Sequence, residues 1–152
     1  MEKQRAITML LIEDNPGDIR LIQEVMKAGK IKNELNFVNN GEEALMYLRK
    51  IGEFANVPRP DIILLDLNLP KKNGREVLAE IKKDPDLLLI PVIVLTSSSE
   101  EKDVLETYAQ HANCYITKPV DFNQFINVIQ SIANFWLDIV ILPNHNNHKN
   151  GS

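Results

Sequence analysis

Cysteine is all but absent from this 152-residue chain. Cys114 stands alone, so no intrachain disulfide can form, and the composition suits a reducing, cytoplasmic setting. Histidine is scarce as well, with three residues. None of them lies in the acidic segments discussed below, which argues against a zinc centre or another soft-metal site. Long hydrophobic runs are missing too. The longest, Leu87 to Leu95, is broken by Pro91 and is far short of the ~20 residues a membrane helix needs. The opening MEKQRAITML carries no signal core with a small-residue cleavage site, so no membrane segment and no export are expected. Nor is there an excess of positive charge. Lys and Arg number 17 against 21 Asp and Glu, a formal charge of −4, which excludes non-specific nucleic-acid or anionic-membrane binding as the main activity.

What is present is the balance of a globular domain, 44% hydrophobic and 25% charged. Short apolar runs alternate with amphipathic stretches. Ile7–Ile12, Leu35–Val38, Ile62–Leu65, Val92–Leu95 and Cys114–Ile116 read as strands, continuously apolar as expected of a parallel sheet covered on both faces. Helices open between them. Asn15-Pro16-Gly17-Asp18 supplies a capping side chain, a proline for the first turn and an early acid, and Gly29 ends that helix. Asn40-x-x-Glu43, Asn73-x-x-Glu76, Ser98-x-x-Glu101 and Asp121-x-x-Gln124 resemble capping boxes opening four more. The last helix carries Phe122, Phe125, Ile126, Ile129, Ala133 and Trp136 on one stripe. Five βα units predict a doubly wound, five-stranded parallel α/β sheet within residues 1–137, followed by an extension over residues 138–152.

Such sheets place their sites beyond the carboxyl ends of the strands. There stand Glu13 and Asp14 after the first strand, Asp66 after the third, Thr96 after the fourth, and Lys118-Pro119 after the fifth. Taken singly, each has an ordinary surface or turn reading; their convergence on one edge is what counts. Three carboxylates against one lysine repel one another, and a hard divalent cation with oxygen ligands, Mg²⁺, restores the balance. With that charge in place, Asp66 is the candidate nucleophile for phosphoryl transfer. Lys118 and the Thr96 hydroxyl would face the transferred group.

This pattern resembles the receiver domain of two-component response regulators. The resemblance runs from about Thr8 to Ile132 and rests on LIEDN (Glu13, Asp14), LLDLNLPKKNG (Asp66), LTSSS (Thr96) and YITKP (Tyr115, Lys118, Pro119). It implies the flavodoxin-like receiver fold, strand order 2-1-3-4-5, and a switch that catalyses only its own phosphorylation and dephosphorylation. Asp66 would take a phosphoryl group from the phosphohistidine of a sensor histidine kinase. Asp14, Asp66 and the backbone carbonyl of Asn68 would hold Mg²⁺, with Glu13 joining directly or through water. Lys118 would pair first with Asp66 and then with the phosphoryl group. Thr96 would move towards the phosphate and Tyr115 would turn inward. The Lys118–Pro119 bond would be cis, and Asn68 and Ser98 would tune the acyl-phosphate lifetime. The segment NLPKKNGREVLAEIK, the long connection Ile51 to Pro60 and the apolar NFWLDIVILP are similar to the small regulators of phytochromes, which implies a light-sensing kinase as phosphodonor.

Fifteen residues after Leu137 are too few for a helix-turn-helix module, so the output is expected at the receiver's own surface. Phe135, Trp136, Ile139 and Ile141 keep the chain apolar past the last helix. Two readings stand: a segment folded back on its own domain, or a two-fold homodimer contact. The polar tail from Pro143, with His145 and His148, reads as disordered. A flavodoxin-like FMN site is rejected because EDNPGD would repel a phosphate. A haloacid-dehalogenase-type phosphatase is rejected because Asp66-Leu67-Asn68 lies on the third strand and lacks the second acid. A degenerate receiver that binds partners unphosphorylated remains, although this chain keeps the acceptor, the acids and the lysine that such proteins usually lose.

Overall fold

The computed structural model describes residues 6–29, 32–96, 114–117 and 122–132. Five strands form one parallel sheet, β1 (Ile7–Ile12), β2 (Asn33–Val38), β3 (Ile62–Leu65), β4 (Val92–Thr96) and β5 (Cys114–Thr117), in the spatial order β2-β1-β3-β4-β5. Four helices are described: α1 (Pro16–Ala28), α2 (Gly41–Leu48), α3 (Gly74–Lys83) and α4 (Phe122–Ile132). The helix expected from Ser98 falls outside the described residues, as do Lys118, Pro119 and the extension with Phe135, Trp136, Ile139 and Ile141. Among the described residues no helix is long and apolar enough to cross a membrane.

Unbroken apolar strands serve two cores because successive side chains point to opposite faces. Leu10, Ile12, Ile63, Leu65, Val92 and Val94 face one side, where Leu45 and Leu48 of α2 and Leu78 and Ile81 of α3 cover them. Met9, Leu11, Ile62, Leu64, Ile93 and Leu95 face the other, under Ile19, Ile22 and Met26 of α1, with Ile126 of α4 packed beside them. Complete burial of such a side chain contributes about 1.5–3 kcal/mol, so β1 and β3, sealed on both faces, anchor the sheet.

β2 departs from the expected pattern. It begins two residues before Leu35, and Asn33 and Glu34 pair with Ile7 and Thr8. It is not continuously apolar, and only Val38 is fully buried. An edge strand has one neighbour and a solvated side, so backbone pairing to β1 extends it through residues that no core requires. The connection after α2 is also more structured than a bare loop. A 3-10 turn at Gly52–Phe54 lays Phe54 and Val57 against the core, and the Phe54 ring lies 5.5 Å from that of Tyr47.

Asp61, just before β3, is only 3% exposed. Its Oδ2 accepts the Thr8 N–H at 2.8 Å while its own N–H donates to the Thr8 carbonyl at 2.7 Å. The carboxylate thus closes the amino end of the β1–β3 pair. Asp61→Ala is expected to lower unfolding stability by about 2 kcal/mol, the cost of a buried N–H left without its acceptor. Urea denaturation would show it as a lower midpoint with an unchanged slope.

Candidate functional site

Register brings the acids level. Ile12 and Leu65 are partners across β1 and β3, so the next residues, Glu13 and Asp66, leave the sheet side by side. The Asp66 N–H still donates to the Ile12 carbonyl at 3.0 Å, and the Glu13 N–H donates to the Val38 carbonyl at 3.1 Å. Glu13 and Asp66 are buried at 1% and 6% exposure, while Asp14 faces solvent. Each offers one carboxylate oxygen, and the three oxygens lie within 4.8 Å of one another.

Local capping fixes both loops. The Asn15 side chain accepts the Asp18 N–H at 3.0 Å, starting α1 directly behind the acid pair, and Glu13 Oε2 accepts the Asn15 N–H at 3.2 Å. Asp66 Oδ1 accepts the N–H of Asn68 at 3.0 Å, which orients the carboxylate. Beyond Asn68 the chain turns through Lys71, held at φ 65°, to the full capping box of Asn73 and Glu76 that opens α3. Lys72 binds Glu80 at 2.7 Å and Arg49 binds the same carboxylate at 3.0 Å, bracing this loop to α3 and to the end of α2. Lys72, then Arg49, holds the Glu80 carboxyl below the usual glutamate range. The stabilisation from this brace is present at neutral pH and is lost as pH falls through that lowered value.

The donor set is oxygen only and densely anionic, which fits a hard divalent cation and not a soft one. Thr96 closes β4 opposite Thr117, and Tyr115 pairs with Val94. Both therefore sit in strands that end at this edge. Ser98, Lys118 and Pro119 lie outside the described residues.

Comparison with known proteins decides the family. The response regulator receiver domain matches residues 9–130. The chain belongs to this family. As a receiver it is a signalling switch of the two-component type, on an α/β parallel sheet of flavodoxin-like form. It is similar to response regulator Rcp1 of Synechocystis sp., with 52% identity over 135 residues, 89% of this chain and 92% of that one. The phosphorylated cyanobacterial phytochrome response regulator RcpA superposes with a TM-score of 0.89 at 51% identity, covering 91% of this chain and 99% of its own. The Mn²⁺-bound form of Rcp1 gives 0.88 at 51% identity over 90% and 99%.

Two features of the receiver escape the motif reading. Asn39, the residue after β2, donates from Nδ2 to the Glu13 carbonyl at 3.3 Å. The rule that searches strand ends finds it once β2 is included. The second is the N-terminus of α2. Asn40 caps it by accepting the Glu43 N–H at 2.9 Å, but the Glu43 carboxylate returns to the N–H of Asn39 at 3.2 Å and so reaches one residue before the cap. This departs from the reciprocal box expected at Asn40-x-x-Glu43.

Proposed function

We propose that the receiver accepts a phosphoryl group on Asp66 from the phosphohistidine of a phytochrome-class sensor histidine kinase. The observation that carries this reading is the cluster of three carboxylate oxygens within 4.8 Å, with Asp66 held at a strand end. Glu13, Asp14 and Asp66, with the Asn68 carbonyl, would hold Mg²⁺. A bound Mg²⁺ offsets negative charge on the phosphoryl group during transfer. An Asp66 carboxylate oxygen attacks phosphorus, the P–N bond to the donor imidazole breaks, and the imidazole takes up a proton. Lys118 and Thr96 supply a cation and a hydroxyl to the phosphoryl oxygens, and Thr96 with Tyr115 carries the change to the surface. Asn68 and Ser98 set how readily water reaches the acyl phosphate.

Likeness to Rcp1 and RcpA over about nine-tenths of this chain supports the phytochrome assignment. The apolar residues Phe135, Trp136, Ile139 and Ile141 support a two-fold homodimer contact. The lone cysteine supports a cytoplasmic setting.

Intact mass after incubation with acetyl phosphate, and separately with a phosphorylated phytochrome kinase, tests the reading. One Mg²⁺-dependent phosphoryl adduct that maps to the Asp66 peptide is expected. An adduct on another residue, or none from either donor, overturns it.

A further inference from the structure

We propose that the junction between β2 and α2, Asn39 to Glu43, is the positioning element that sets the spacing between the two halves of the acid cluster. This inference rests on reading that cluster as a cation site. The halves are the loop after β1, with Glu13 and Asp14, and the loop after β3, with Asp66 and Asn68. The junction grips both.

Towards the first loop, the Val38 carbonyl takes the Glu13 N–H at 3.1 Å and the Asn39 side chain donates to the Glu13 carbonyl at 3.3 Å. The peptide that carries the acid pair is therefore bound on both sides of Glu13. Towards the second loop, Gly41 packs against backbone. A Cβ on Gly41 would fall on the Lys72 carbonyl oxygen, 2.6 Å from its carbon and 2.7 Å from the Lys72 Cβ. No L side chain fits without pushing the acceptor loop away from α2 or α2 away from the sheet.

The two grips are one rigid piece. Glu43 Oε1 holds the Asn39 N–H at 3.2 Å, Asn40 Oδ1 holds the Glu43 N–H at 2.9 Å, and the Asn40 carbonyl accepts the Ala44 N–H at 3.1 Å. On the far side, Lys72 is tied to Glu80. Three residues beyond Asn68 the loop is locked by the left-handed turn at Lys71. A displacement of the α2 N-terminus therefore changes the separation of Glu13 and Asp14 from Asp66 and Asn68, although no junction side chain belongs to the donor set.

Ion selectivity reports such a change. Mg²⁺ demands near-octahedral geometry at about 2.0–2.1 Å, whereas Ca²⁺ accepts irregular shells at about 2.3–2.6 Å. A residue that sets spacing should therefore affect Mg²⁺ affinity more than Ca²⁺ affinity. One that merely stabilises the fold should affect neither below the melting transition.

Calorimetric titration of the full chain with Mg²⁺ and, separately, Ca²⁺ tests the proposal on wild type, Asn39→Ala, Gly41→Ala, Asp66→Asn and the control Tyr47→Phe. The control removes the Asn36–Tyr47 hydrogen bond of 3.0 Å from the far end of α2. Asn39→Ala and Gly41→Ala are each expected to weaken Mg²⁺ binding about tenfold, the scale of losing a group that orients a ligand. Ca²⁺ binding should weaken less, and Tyr47→Phe should match wild type for both ions. If Gly41→Ala does not fold, Asn39→Ala decides, since it removes one exposed side chain and leaves α2 capped. Mg²⁺ binding by Asn39→Ala at the wild-type value, or equal losses in Tyr47→Phe, overturns the proposal while leaving the cation site standing. Wild type that takes up no Mg²⁺, or Asp66→Asn that binds it as wild type does, overturns the cation reading and the positioning role with it.

Discussion

Asp66→Asn should abolish phosphorylation and yet, without Mg²⁺, unfold at a higher temperature than wild type. The amide lacks the anionic oxygen that attacks phosphorus, so the rate from acetyl phosphate should fall on the order of 10³-fold or more. Stability moves the other way. Asp66 is buried, with the carboxylates of Glu13 and Asp14 within 4.8 Å. At such separations like charges repel by a few kcal/mol where the effective dielectric constant is about 20. An asparagine oxygen can still accept the Asn68 N–H that Asp66 accepts at 3.0 Å. The net expectation is a gain of about 1 kcal/mol in the metal-free protein, after the loss of a hydrogen bond to a charged acceptor and of the attraction expected from Lys118. Mg²⁺ should reverse the order. Wild type gains about 2.7 kcal/mol at a ligand concentration one hundred times Kd, and the variant far less. Thermal melts of both proteins with and without Mg²⁺ check all four values. A variant less stable than wild type in the absence of the cation would contradict the crowding argument.

Gly74→Ala, like Gly41→Ala, should be among the most damaging single-methyl changes in the described structure. A Cβ there would fall on the Asp66 carbonyl oxygen and lie 2.5 Å from the Leu67 Cα. The Gly74 N–H also donates to the Leu67 carbonyl at 3.0 Å, so α3 begins in direct contact with the acceptor strand. Every atom in the way is main chain and cannot rotate aside. An overpacked site of this kind costs about 3 kcal/mol or more, and relief by moving α3 would carry Val77 and Leu78 out of the core. Urea denaturation should show a much lower midpoint. The surviving folded fraction should phosphorylate more slowly, because the Asp66 carbonyl itself is displaced. Wild-type stability in Gly74→Ala would mean that α3 is free to slide.

How much of this was legible in the linear chain depended on whether the cause was local. β1 and β3 have the limits that their apolar runs predict, because burial on both faces makes the run and the strand the same length. β2 does not, because Asn33 and Glu34 are strand residues only through pairing with Ile7 and Thr8. Glu13, Asp14 and Asp66 were readable from one rule, that sites lie beyond the carboxyl ends of parallel strands. Gly41 was not, since what forbids a side chain there is the carbonyl of Lys72, 31 positions along the chain. Asp61 reads locally as a turn residue, and its role depends on an amide 53 positions away. The full box at Asn73 was predictable and the altered one at Asn40 was not, because the Glu43 carboxylate is taken by Asn39 at the strand end.

The polar character of β2 has a consequence for the protein in a crowded cell. An outermost strand offers unused hydrogen-bonding groups along its free side and is the natural place for two molecules to zip together irreversibly. On one face of this strand stand Glu34, exposed, and Asn36, whose amide donates to the Tyr47 hydroxyl of α2. Self-association through this edge would have to desolvate a charge beside a committed amide, with Phe37 as the one large apolar residue to gain. The polar residues that break the apolar pattern of β2 thus act as its defence against aggregation.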